Sequence, residues 1–321
     1  MTINLSSHWK AVLQALLVTF LWSTSWVLIK IGLEDIPSLT FAGLRYMLAF
    51  LCLLPLVLRK PYRSQIKKLS RRDWAFLLLL GALLYGVTQG SQFAGLFYLP
   101  AITVSLMLNF TSILVALMGI VFLTERLTVL QWMGTALFIL GILIYFYPII
   151  IPQSQVLGLL IVTVGVVANA ISSIMGRGIN RSGQIHPLVI TCISMGIGAV
   201  LLLAAGISIQ GLPPLRLQHW IIIAWLAVIN TAFAFTLWNH TLRTLSAVES
   251  SLINNTMTVQ IAILAWIFLG ENLNLQQLIG MILAVIGIFI VQMSGISLSS
   301  ILAAFNRQKA LPYDHQDESP A

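Results

Sequence analysis

Charge is what this sequence has least of: Asp, Glu, Lys and Arg make up 8% of its 321 residues. A soluble globular chain carries about a quarter, so folding in water around one apolar core is excluded. Cysteine is nearly absent too. Cys52 and Cys192 both fall inside apolar runs, too few and too deep for a disulfide framework or a metal site. Catalytic signatures are missing: there is no G-x-S-x-G, H-E-x-x-H or glycine-rich phosphate loop. His8, His186, His219, His240 and His315 are scattered at loops and span ends without ligand spacing. These absences argue against an enzyme, and no metal or cofactor is expected.

What the chain has instead is apolar length. Hydrophobic residues are 59% of it, and the mean hydropathy is +0.96. A helix crosses a hydrocarbon core of about 30 Å with about 20 apolar residues. Ten runs qualify: 11–32, 37–58, 74–97, 100–123, 128–147, 156–176, 187–209, 218–240, 247–270 and 274–293. The expected fold is an all-α membrane protein of ten transmembrane helices. The first run, Ala11 to Gly32, is longer than a signal-peptide core and lacks a small-residue cleavage pattern, so it reads as a retained span. Connections are short except for 59–73, "RKPYRSQIKKLSRRD". Residues 294–321 form a polar tail with little apolar content after Phe305, expected to be disordered and cytoplasmic.

Basic residues set the orientation, because Lys and Arg stay on the cytoplasmic side. With both termini inside, 14 of the 17 basic residues are cytoplasmic, seven of them in 59–73. Lys30, Arg45 and Arg216 are left for the membrane or the outer face. In a soluble chain the net charge of +8 would suggest nucleic acid. Here loop asymmetry accounts for it, and the expected partners are the lipid bilayer of the plasma (inner) membrane and a small-molecule substrate. A homodimer is left open.

The sequence also repeats. Laid against itself at an offset of 146, the segment from Ala101 to Ile144 matches at 15 of 44 positions without a gap. The identities include Ser105/Ser251, Asn109/Asn255, Glu125/Glu271, Gln131/Gln277, Gly134/Gly280 and Gly141/Gly287. Compositional bias would match Leu and Ile but not Asn, Glu, Gln and Gly in register. Each half, 11–147 and 156–293, therefore holds five spans. Five is odd, so the second copy sits inverted relative to the first, an arrangement typical of secondary transporters.

Each copy closes an apolar run with a glutamate, in "FLTERL" at 122–127 and "FLGENL" at 268–273. Thr128-x-x-Gln131 and Asn274-x-x-Gln277 follow, each a capping box opening the next span. Glu125 and Glu271 then stand at a tight turn, where a carboxylate accepts bonds from free N–H groups at a helix start. A structural role at the turn is expected of both, ahead of a coupling-ion role. The glycines at 134/141 and 280/287 let a neighbouring backbone approach closely.

These stretches carry a family likeness. "LWSTSWVLIKIGLEDIPSLTFAGLRYMLAF", "FLTERLTVLQWMGTALFILGI" and "FLGENLNLQQLIGMILAVIGI" resemble the paired EamA domains of the drug/metabolite transporter superfamily, over about residues 11–293. The resemblance implies a ten-helix exporter or permease of small metabolites, with a cavity between the halves. Many members have proline about 13 residues before the glutamate, where this chain has Ser112 and Thr258. The family is broad in substrate, so the likeness names none.

Polar side chains at membrane depth face the bundle interior or a cavity. Ser105, Asn109 and Ser112 share one helix face in span four, and Ser251, Asn255 and Thr258 repeat that stripe in span nine. Interhelical hydrogen bonding is the plain alternative to lining a cavity. Span nine adds Glu249, Thr256 and Gln260, with no polar stripe to match in span four. Further candidates are Trp22, Ser25 and Trp26 in span one, Gln89 and Gln92 in span three, and Trp238, Asn239 and His240 in span eight. The tryptophans serve equally well as interfacial anchors or stacking surfaces.

Arg45 lies eight residues past Pro37, about 12 Å along a helix, and such a charge needs compensation. It either has a permanent partner, in Glu34, Asp35 or carbonyls of a neighbouring span, or faces a watered cavity where it meets a substrate carboxylate. The resemblance places an arginine here in many members with different substrates, which favours the permanent partner.

The leading functional expectation is a gradient-driven transporter of small polar or amphipathic metabolites such as amino acids. Small-multidrug-type efflux of cations is the first alternative, but the shorter relatives that perform it depend on an acid in span one, and residues 11–32 contain none. A sugar-nucleotide or phosphate carrier would need several intramembrane cations, and only Arg45 is firmly placed there. A membrane-embedded protein with no transport role comes last.

Overall fold

The computed structural model describes residues 5–123, 128–148, 152–182, 184–241, 245 and 247–294. Glu125 and the tail 295–321 lie outside the described residues, as do the side chains of Asn239, Glu249 and Ser251. Every regular element among the described residues is a helix. In chain order they are α1 (Leu5–Gly32), α2 (Ser38–Val57), α3 (Lys60–Ile66), α4 (Arg71–Tyr98), α5 (Ala101–Leu123) and α6 (Val129–Phe146). Then come α7 (Gln153–Ser182), α8 (Pro187–Gln210), α9 (217–241), α10 (Ala247–Leu269) and α11 (Leu275–Ser294).

Six of these, α1, α2, α4, α6, α7 and α8, are long and apolar enough to cross a bilayer. The others hold shorter apolar stretches: Ala101–Val115 in α5, Leu217–Phe233 in α9, Ile253–Leu269 in α10 and Leu275–Val291 in α11. Large apolar side chains face outward along the helices, among them Leu13, Leu17 and Phe20 on α1 and Trp266, Ile267 and Phe268 on α10. Water would penalise such a surface; lipid accepts it. The chain is a multi-pass membrane protein. The seven-residue α3 was not foreseen: the 59–73 connection is partly helical, with Pro61 in the first turn, where its missing N–H costs nothing.

Helix starts follow the local sequence. Thr128 Oγ1 accepts from Gln131 N at 3.2 Å while Gln131 Oε1 accepts from Thr128 N at 2.8 Å. Asn274 and Gln277 exchange the same pair of bonds at 2.7 and 3.0 Å. Both capping boxes read from the spacing are formed.

Helices of the first half pack mainly on those of the second. Along α2 and α8, a Cβ on Gly43 would stand 2.6 Å from Leu203 Cα, and one on Gly206 would stand 2.7 Å from Thr40 Cα. Residue numbers rise on one helix as they fall on the other, so the pair is antiparallel. The α6/α11 pair is built alike, with Gly134 against the Gly287 carbonyl. Two further contacts are swapped versions of each other: α1 packs on α10, and α5 packs on α7.

Two helices widen in mid-span. Ala82–Gln89 of α4 and Val228–Phe233 of α9 are π-helical, and their first residues are 146 apart (228 − 82), the offset of the repeat. Widened turns of this kind are rare inside α-helices and frequently mark functional sites. In α4 the turn is covered by α8 at close range: a Cβ on Gly198 would lie 2.6 Å from Gly81 O and 3.0 Å from Gly86 N.

Candidate functional site

The π turn of α9 gathers the most unusual polar groups. Thr231 Oγ1 donates to Leu226 O, five residues back, at 2.8 Å, and Thr88 Oγ1 makes the same bond to Leu83 O at 2.9 Å in α4. A carbonyl five residues back is within reach because the π turn is wider than an α turn. Asn230 and Thr231 are both fully buried. They point at different neighbours. Asn230 Nδ2 donates to Leu21 O and, at 3.1 Å, to Thr24 Oγ1 of α1. Thr231 Oγ1 accepts from Arg45 Nε of α2 at 3.1 Å. One turn of α9 thus ties together α1 and α2.

Arg45 is 5% exposed. Its guanidinium carbon lies 5.2 Å from the Tyr46 ring centroid and 5.8 Å from that of Phe93, a cation–π arrangement. Neither sequence-suggested carboxylate is its partner: Asp35 pairs instead with His219 Nε2 at 3.0 Å, and no bond joins Arg45 to Glu34 among the described residues. Asp35 is reached by a histidine at the start of α9, whereas Arg45 lies two turns deeper and turns to the bundle interior. Nearby, Tyr46 donates to Gln89 Oε1 at 2.6 Å. Gln92 is half-buried on the same helix as Gln89.

The span-four and span-nine stripes meet one another. Asn109 Nδ2 donates to Thr258 Oγ1 at 3.1 Å, joining α5 to α10. Ser105 is buried and bonds back to Ile102 O at 2.8 Å, Ser112 is half-buried, and Asn255 is buried. Gln260 is held by three groups: it accepts from Ser23 Oγ at 3.0 Å and donates to Thr256 Oγ1 at 3.0 Å and Thr19 Oγ1 at 3.3 Å. Three of these residues, Asn109, Thr258 and Gln260, stitch helices together. Trp22 of α1 packs its ring 5.1 Å from Phe235 and 5.3 Å from Trp238 of α9, Ser25 bonds back to Trp22 O, and Trp26 is buried in the core.

Glu271 accepts from Ala101 N at 2.7 Å and Ile102 N at 3.2 Å. The helix start it serves is that of α5, in the other half, rather than the α11 that follows it in sequence. Around the same Leu99–Pro100 turn, Lys30 Nζ donates to Leu96 O at 2.6 Å and Leu99 O at 2.7 Å. The carboxylate meets the positive end of α5 and the ammonium the negative end of α4, each the favourable sign. A cavity of about 300 Å³ opens there, lined by Thr103, Tyr145, Gln155, Glu271 and Gln277 among others. At the opposite end of α4 a second cavity of about 510 Å³ lies between the α3 segment and residues 184–186. A third, of about 520 Å³, is an apolar groove between α5, α6 and α7. None of the three is lined by the predicted serine and asparagine stripes.

Sequence reading passed over Asn230 and Thr231. The signal was present, two adjacent polar residues inside an otherwise apolar run.

The pattern of the EamA-like transporter family matches residues 9–147 and again 156–293. The chain is 24% identical over 284 residues to the Bacillus subtilis "Uncharacterized transporter YoaV", covering 87% of this chain and 96% of that one. It is 27% identical over 294 residues to a "Probable amino-acid metabolite efflux pump" of Salmonella typhimurium (86% and 92% covered), and 26% identical over 292 residues to the protein of that name in Escherichia coli (86% and 92%). A solved crystal structure, 17% identical, superposes with a TM-score of 0.62 over 88% of this chain and 98% of its own, a likeness of fold. Two matches filling both halves leave one assignment: this chain belongs to the EamA-like transporter family.

Proposed function

We propose that this chain is a secondary transporter, an exporter or permease, that moves small polar or amphipathic metabolites such as amino acids across the plasma membrane. In this reading ten helices form two inverted five-helix repeats with both termini in the cytoplasm, and the substrate passes between the halves. The observation that carries it is the swapped pairing: α1 on α10 answers α5 on α7, and π turns sit at equivalent positions in α4 and α9. Two similar units that pack mainly on each other can rock about a fixed midplane site, the usual basis of alternating access. The names of the Salmonella and Escherichia relatives support amino-acid-type solutes.

Small-multidrug efflux fits less well, because α1 carries no acid and its one deep cation, Lys30, is occupied by two carbonyls. The reading is tested by untargeted metabolomics of cells overproducing the protein. One or more amino acids or close derivatives should be enriched in the medium relative to an empty-vector control. Unchanged amino-acid pools with altered pools of organic cations would favour the multidrug reading instead.

A further inference from the structure

A buried guanidinium is expensive unless something answers its charge. The Arg45 environment answers it only in part. Nε is taken by Thr231 and two ring faces lie near the charge, but the two terminal nitrogens make no hydrogen bond to any described residue. They are not sealed in either. Among the described residues, the side-chain polar atoms that are both closed off and unpartnered are Trp22 Nε1 and Asn230 Oδ1, and no Arg45 atom is among them. The edge of two parallel N–H donors is therefore unused but not wholly closed off.

No carboxylate lies within ion-pair distance of Arg45 among the described residues. An arginine fork matches a carboxylate with two parallel bonds, and the bond from Nε to Thr231 leaves the outer edge of the fork free for them.

We infer that Arg45, oriented by Thr231 of the α9 π turn, is the anchor for the carboxylate of the transported solute. The inference rests on the transport reading above and narrows its substrates to carboxylic acids, amino acids included. Thr231 is a positioning residue, acting through Arg45. The rings of Tyr46, bonded to Gln89, and of Phe93 stand beside the guanidinium.

The test uses the full chain purified in detergent, with sodium acetate as the probe and sodium chloride at equal ionic strength as the reference. Melting temperature is read for the wild type, Arg45→Gln, Arg45→Lys and Thr231→Val. Acetate should raise the wild-type melting temperature above the chloride reference. That excess should vanish in Arg45→Gln and shrink in both Arg45→Lys, which keeps the charge but not the fork, and Thr231→Val, which keeps shape but not the hydroxyl. General salting-out acts on all four alike and cancels in the comparison. An acetate excess equal in wild type and Arg45→Gln overturns the inference. If Arg45→Gln does not fold, full retention of the excess in both Arg45→Lys and Thr231→Val overturns it equally. Absence of any excess in the wild type also overturns it, whatever cells export. Conversely, an Arg45-dependent excess in a protein that exports no amino acid would uphold the carboxylate site and reject the amino-acid reading.

Discussion

Gly141 and Gly280 touch backbone to backbone: a Cβ on either would stand 2.6 Å from the carbonyl oxygen of the other. Gly134 and Gly287 repeat the relationship further along α6 and α11, at 2.8 and 2.6 Å. Membrane helices lack a hydrophobic drive to associate, so close backbone approach supplies much of the packing energy. Gly141→Leu or Gly280→Leu should therefore cost about 1–3 kcal/mol or more, read as reduced membrane abundance and a lower melting temperature. Gly211→Ala and Gly270→Ala test a different property: both sites are open but sit at φ of 77° and 65°, so any loss there comes from backbone strain.

Glu271 links the halves at one end of the bundle. Glu271→Ala frees the N–H groups of Ala101 and Ile102, a lost cap worth about 1 kcal/mol. Glu271→Gln keeps one acceptor oxygen and should fall between the alanine variant and wild type in thermal stability. Equal stability of all three would show that the α5 start is satisfied without the carboxylate.

The polar stripes give a graded expectation. Asn109→Ala breaks the link to Thr258, one bond at 3.1 Å and a marginal one at 3.5 Å, and single interhelical bonds in membranes average about 0.6 kcal/mol. Gln260→Ala removes three and should destabilise more. Melting temperatures of the two variants, measured side by side, check the order. A larger drop for Asn109→Ala would contradict it.

Much of this was legible in one dimension. Apolar length marked the helices, the capping boxes at Thr128 and Asn274 fixed two starts, and the register of Asn, Glu, Gln and Gly at offset 146 exposed the repeat. Partners were not legible. Glu271 sits beside α11 in sequence, yet its carboxylate serves α5, because the turn's neighbours are decided by how the halves dock. Arg45 was compared with the acids nearest in sequence, while its partner lies 186 positions away on α9. The π turns were not legible either: residues 82–89 and 228–233 hold polar groups such as Thr88, Gln89, Asn230 and Thr231, but nothing in their spacing marks a widened turn. Facing also escaped: Asn109 and Thr258 fall on a predicted polar face, but spacing alone cannot distinguish a face that lines water from one that meets its twin.

Orientation is open to direct test. Reporter fusions after Arg72 and Arg181 should read as cytoplasmic, fusions after Gln153 as external, and fusions after Gln308 as cytoplasmic, as the excess of basic residues requires. An external signal after Arg181 would place both halves the same way up and remove the inverted arrangement.

Transport itself is measured by counterflow. Proteoliposomes preloaded with a mixture of the twenty standard amino acids are diluted into buffer containing one labelled amino acid at a time. For at least one of them label should accumulate above protein-free vesicles, and its α-amide, lacking the carboxylate, should neither accumulate nor compete. No accumulation for any of the twenty would contradict the amino-acid transport reading, and an amide that competes as well as its parent acid would contradict the carboxylate anchor.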